Sequence, residues 1–246
     1  MFRHQGKART LSHNKKIASL LSFVAGIVNV AGFISVHRLT TNVTGHFAFF
    51  VEEVLKFRLI DSFIYFLYIL FFFLGSFLSN LFVEIMIRKN ERFIYAIPVI
   101  IESIILCTVA FFGYSLILKS PNLIAYTLLF AMGLQNSLVT RISNAIVRTT
   151  HLTGLFTDLG IELSQLFFYK EQHQHDKLIS TITLRLRIIA FFFLGGLMGG
   201  IFYSYLGLYV LFIPAIILLI GLFYDTLKFK LLNWKRRHGT KDKYLR

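Results

Sequence analysis

Apolar side chains fill this chain in long runs, and the polar residues gather in short breaks between them. Six stretches match or approach the ~20 apolar residues needed to cross a hydrocarbon core of ~30 Å. They are residues 17–36, 60–87, 93–118, 121–140, 188–206 and 208–227. The pattern predicts an all-α, multi-pass integral membrane protein. The first run, IASLLSFVAGIVNVAGFISV, follows a basic stretch, as a secretory signal would. It is too long for a signal core, however, and HRLTTN behind it does not resemble a small-residue cleavage site. It is therefore expected to be a retained first span.

The breaks are not random in wording. TTNVTGHFAFFVEE (40–53) is echoed by TTHLTGLFTDLGIE (149–162), and three further phrases recur in the same order. AGIVN (25–29) pairs with MGLQN (132–136), FFFLGSFLSN (71–80) with FFFLGGLMGG (191–200), and IPVIIESI (97–104) with IPAIILLI (213–220). Two of the chain's three prolines, Pro98 and Pro214, hold matching places. Ordered self-similarity of this kind predicts two homologous halves within one membrane domain. The expected division is a basic cytoplasmic N-terminus (1–16), a first membrane repeat (17–120), a second membrane repeat (121–230) and a basic cytoplasmic tail (231–246).

The TTxxTG segment decides the topology. Residues 44–56 would make a helix of only about 20 Å at ~1.5 Å per residue, and its second copy carries Asp158 and Glu162. If this segment only dips into the bilayer, six helices cross and the halves are inverted. If it completes a crossing, eight helices cross and the halves are parallel. Length favours about six transmembrane helices plus two short or broken TTxxTG helices.

Composition and charge sharpen the picture. The chain is 56% hydrophobic with 28 Phe, and its formal net charge is +14. The cations cluster at the ends: five Lys/Arg precede residue 17 and eight lie from Lys228 onward, with Trp234 among them. Basic ends flanking apolar spans follow the positive-inside rule and suit anionic lipid headgroups, so both termini are expected in the cytoplasm and no nucleic-acid partner is expected. The single cysteine, Cys107, sits inside an apolar run and reads as a small core residue.

Candidate chemistry centres on the repeated phrase. Non-helical backbone cannot face lipid, so the glycines Gly45 and Gly154 would permit a helix break in a protected place. The hydroxyls of Thr41, Thr44, Thr150 and Thr153, with Asn42, would satisfy freed backbone groups or a bound solute. A short helix starting beyond each break would aim its positive dipole end at the break, attracting an anion or the carboxylate end of a zwitterion. Glu53 and Glu162 each lie eight residues past their glycine, near the same helical face, and with Asp158 are candidates for an ion or proton pathway. Asn29, Asn136 and Gln135 would line the same site or hydrogen-bond between helices. A simpler alternative makes TTxxTG a helix cap at the membrane surface, with Thr as N-cap.

Other polar groups carry less. His46 and His151 are not equivalent within the phrase, and His173 and His175 have too few neighbouring ligands, so no metal is expected. Glu102 has Leu218 as its counterpart and is either a functional acid or an Arg partner. Arg141 and Arg148 mark a cytoplasmic end or hold an anion. Gly195, Gly196, Gly199 and Gly200 form two G-x-x-x-G spacings, a close-packing face for a helix of the same chain or of a second copy. No H-E-x-x-H or G-x-S-x-G motif occurs, so neither an enzyme nor a cofactor is expected.

With AGIVN, TTNVTGHF and GLQNSLVTRIS…TTHLTG in view, the chain resembles the YoaK family of bacterial multi-pass inner-membrane proteins. Two positions depart from that family's pattern, Asn29 where an acid is frequent and His46 where the Asn of a TGN phrase is frequent. The resemblance implies a bacterial cytoplasmic membrane but supplies no substrate, since that family is functionally uncharacterised. The expected function is a small-solute or ion permease, with a non-transporting scaffold or lipid-binding protein as the alternative.

Overall fold

A computed structural model describes residues 11–89, 94–143, 145–169 and 171–224. The basic segments 1–10 and 225–246, with Trp234, and most of the RKNER loop lie outside these. Among the described residues every regular element is helical. The elements are α1 (Leu11–Val36), α2 (Val43–Leu55), α3 (Leu59–Arg88), α4 (Ala96–Lys119), α5 (Pro121–Ser143), α6 (Leu152–Gln165), α7 (Gln172–Leu206), a 3₁₀ turn (Gly207–Leu211) and α8 (212–224). Five stretches are long and apolar enough to cross a membrane, the last running from Gln172 to Tyr224 over 53 residues. As one straight helix that stretch would measure about 80 Å, far beyond a bilayer. Gly207 interrupts it with φ 55°, a conformation that costs glycine little and ends α7.

Two seams hold the bundle together. α1 packs along α7, and α3 packs along α5. At the first seam a Cβ on Gly26 would collide with the carbonyl oxygen of Phe192, and one on Gly195 with that of Phe23. At the second, Gly133 meets the carbonyl of Phe72 in the same way, and Gly75 that of Phe130. Only glycine lets two backbones approach this closely, which in lipid maximises dispersion contact where no hydrophobic force separates helix from solvent. Of the predicted G-x-x-x-G faces, Gly195 and Gly199 are used within the chain, a Cβ on Gly199 standing 2.9 Å from Ile27 Cα.

These pairings set helix directions. Phe23 opposes Gly195 and Ile27 opposes Gly199, so α1 and α7 run the same way. Tyr68 bonds Asn122 and Glu84 pairs with Arg141, so α3 and α5 also run the same way. α1 and α5 run oppositely. The Leu21 carbonyl in α1 accepts from Gln135 in α5, while Gly32, further along α1, lies against Leu128, earlier in α5.

α2 and α6 are short, 13 and 14 residues. α2 folds back on α3 as a hairpin, with His46 against Tyr68 at 4.6 Å and Phe49 against Tyr65 at 5.3 Å. After α1 ends, His37 turns the chain with φ 51°, and the segment of residues 38–42 doubles back beside α1 until Thr40 donates to the Val28 carbonyl at 3.3 Å. α5 ends alike, with Ala145 at φ 63° and Thr149 brought back to Asn136. Neither residue is glycine, so each reversal holds a left-handed backbone that costs an L-residue about 1–2 kcal/mol.

Candidate solute site

The chain that doubles back after α1 is fastened to it by side chains. The Thr41 hydroxyl donates to Asn29 Oδ1 at 2.6 Å. After α5, Asn136 Nδ2 donates to the Thr150 hydroxyl at 2.7 Å, and Thr149 donates to Asn136 Oδ1 at 3.3 Å. Each Asn thus holds the reversed segment about two turns back from its helix's end, so α2 and α6 both start deep in the bundle. The caps differ. At α2 the N-cap is Asn42, whose side chain accepts from Gly45 N–H at 3.1 Å. At α6 the N-cap position is His151, which makes no side-chain cap, leaving first-turn N–H groups of α6 without a side-chain partner. The threonines of the phrase are not the N-caps that the simpler alternative required.

Both phrases open on one cavity of about 800 Å³. Among the predicted residues, Asn29, Thr41, Asn42, Thr44 and Gly45 line it from one side, and Asn136, Thr150 and Thr153 from the other. Gly154 borders this wall through His151, whose ring a Cβ there would approach to 2.7 Å. Leu39, Val43, Ala48, Phe72, Thr140, Arg148, His151, Leu152 and Phe192 complete the lining. Arg148 is the only formally charged residue among the lining residues. The sequence marks it chiefly as a topology signal and does not single out Thr140, Phe72 or Phe192. The FFFLG repeat carried the signal, since Phe72 and Phe192 hold the same place in its two copies.

Four predicted residues are not brought to the cavity. Gln135 is fully buried between α5 and α1, donating to the Leu21 carbonyl at 3.1 Å, so it joins helices rather than facing a solute. Glu53 and Glu162 lie toward the far ends of α2 and α6, and Asp158 lies midway along α6. Eight residues carry each glutamate about 12 Å along its helix, which takes it past the cavity. Cations hold them there: Glu53 pairs with Arg58 at 3.0 Å, while Arg185 spans Glu162 at 2.8 and 3.0 Å and Asp158 at 2.8 Å. Lys56 bonds the neighbouring Glu52.

His46 is also off the cavity. It is buried against Tyr65 and Tyr68, with Nε2 2.6 Å from the Leu39 carbonyl, and so pins the inner end of α2. Glu102 is fully buried in α4, and neither carboxylate oxygen has a hydrogen-bond partner among the described residues. Of its two expected readings, the pairing with an arginine is not seen among the described residues.

A bundle of long apolar helices around a polar, partly unwound interior is the architecture of a multi-pass membrane protein. The family described as "Protein of unknown function (DUF1275)" matches residues 17–224, and the chain belongs to that family. No curated protein and no solved structure matches the chain.

Proposed function

We propose that the protein is a permease of the bacterial inner membrane for a small anion or a zwitterion presented carboxylate-first. Two inverted repeats build it, with six crossings and both termini in the cytoplasm. The observation that carries this reading is the cavity shared by the two TTxxTG phrases. Two helix N-termini and Arg148 face it, and no carboxylate lines it. Helix N-termini with free N–H groups favour negative charge, and the low dielectric of a bundle interior strengthens that preference. Its volume falls in the range of small-molecule sites.

The topology has separate support. In parallel repeats α1 and α5, the first helix of each half, would run in the same direction, whereas they cross in opposite senses here. Each first helix packs on the third helix of the other half, with glycines at matching places in both seams. Sites at the interface between inverted repeats, built from discontinuous helices, are a general solution for alternating access.

The test is flux in proteoliposomes with small inorganic anions, carboxylates and amino acids. Uptake of at least one class is expected, and Arg148→Gln should reduce it at least tenfold while the protein stays monodisperse. Anion uptake indifferent to Arg148 would remove the anion assignment. A lipid-binding role has one observation in its favour, an apolar groove of about 520 Å³ beside the cavity, lined by Val30, Phe156, Phe193 and Ile201 among others. Absence of uptake for every class would favour that role.

A further inference from the structure

The two seams share a backbone geometry but not a surface, and the difference falls on matching positions. On the outer side of the α1/α7 seam stand Val30, Gly196 and Gly200, which line the apolar groove just described. Their counterparts are Ser76 and Asn80 within the FFFLG phrase and Ser137, which follows MGLQN as Val30 follows AGIVN. With Asn136, Thr140 and Arg141 these line a second groove of about 360 Å³ on the α3/α5 seam. Asn136 and Thr140 border both this groove and the central cavity. At its outer end Arg141 pairs with Glu84 at 2.5 Å, both groups partly open to solvent.

Polar side chains at membrane depth are costly against lipid and are found where they face protein partners or water. Of this set, Ser76 spends its hydroxyl on the Gly133 carbonyl at 3.1 Å, and Asn136 bonds the threonines of the second phrase. Asn80 is exposed on the α3 surface, and Ser137 and Thr140 are half-exposed beside it. A lipid-facing seam would not need them; the apolar groove at the matching place does without. From Asn136 to Arg141 is five residues, about 7.5 Å of helix, so the polar track leads from the cavity wall outward along the last turns of α5.

We infer that the α3/α5 groove is the water-filled path by which the solute enters the central cavity, open at the end marked by Arg141 and Glu84, and that the matching α1/α7 groove is sealed by its apolar lining. This rests on the permease reading, placing Arg141 at the mouth as an outer cation ahead of Arg148. The path is one-sided: its mouth lies at a single membrane face.

Single cysteines on a Cys107→Ser background test it, because accessibility to water is read without knowing the solute. Asn80→Cys and Ser137→Cys should react with a membrane-impermeant methanethiosulfonate from one face of sealed vesicles, at least tenfold faster than Val30→Cys and Gly200→Cys. Thr150→Cys, inside the cavity, should react from that same face, and adding Ser137→Trp should slow it at least tenfold. The inference is overturned if Asn80→Cys and Ser137→Cys are no faster than the apolar pair, or if they form disulfides between copies, which would make the groove a protein contact. It is equally overturned if Thr150→Cys is unreactive or ignores the tryptophan. Flux lost with labelling intact would instead sink the permease reading and leave the path.

Discussion

The inner and outer ends of the two short helices behave differently although both repeat in sequence. At the inner ends, Thr41–Asn29 and Thr150–Asn136 make corresponding hydrogen bonds, and both ends face one cavity. At the outer ends the repeated glutamates do not converge. Glu53 is held by Arg58, five residues away, whereas Glu162 is gripped by Arg185 from another helix. Matching residues therefore serve a shared centre at one end and separate anchorage at the other. A carboxylate near a membrane surface needs only a cation within reach, and any nearby Arg suffices. The polar cavity needs both phrases at once.

The largest effect should come from parting the inner ends. Gly133→Val drives a side chain into the Phe72 carbonyl at the α3/α5 seam, where neither backbone has room to move. A cost of about 3 kcal/mol or more is expected, seen as loss of monodisperse protein in detergent. Normal yield and melting would mean that the seam is not the closure of the site.

At the outer ends the two arginines should separate. Arg185 makes three hydrogen bonds to two carboxylates and is 22% exposed, so Arg185→Gln should cost about 2 kcal/mol and lower the melting temperature clearly. Arg58 is 53% exposed and makes one ion pair, so Arg58→Gln should cost under about 1 kcal/mol. Equal shifts would erase the distinction between tertiary and local anchorage.

Thr41→Val with Thr150→Val should cost only about 1 kcal/mol per site in stability. The pair should nonetheless abolish stabilisation by whichever anion protects the parent in a thermal-shift screen. Retained protection would take the hydroxyls out of the site. The smallest expected change is a gain: Ala145→Gly relieves a left-handed backbone at the end of α5 and should stabilise by about 1 kcal/mol. A loss there would show that the Ala145 side chain contributes more than its strain costs.

Much of this was legible in the order of residues. The expected spans and the observed helices agree closely from α3 to α5, because some twenty consecutive apolar side chains leave helix as the one structure that satisfies its own backbone in lipid. α7 begins well before the apolar span expected from residue 188, since the polar residues of QHQHDKLISTITLRLR end an apolar run without a helix breaker among them. The cavity threonines and asparagines were visible through their repetition. Arg148 was not, because it stands opposite Leu39 and repetition cannot flag a residue that occurs once.

Sequence alone determined that this chain lives in a membrane, where its helices run, and which polar phrase interrupts them twice. Those follow from local quantities: transfer free energy, helix length, and the few residues tolerated at a break. Only the tertiary structure decided that α1 lies on α7 and α3 on α5, that the breaks meet while the glutamates part, and that one seam is polar and the other greasy. Such outcomes depend on which carbonyl lies under which glycine and which arginine reaches across to which acid, distances between residues that spacing along the chain does not contain.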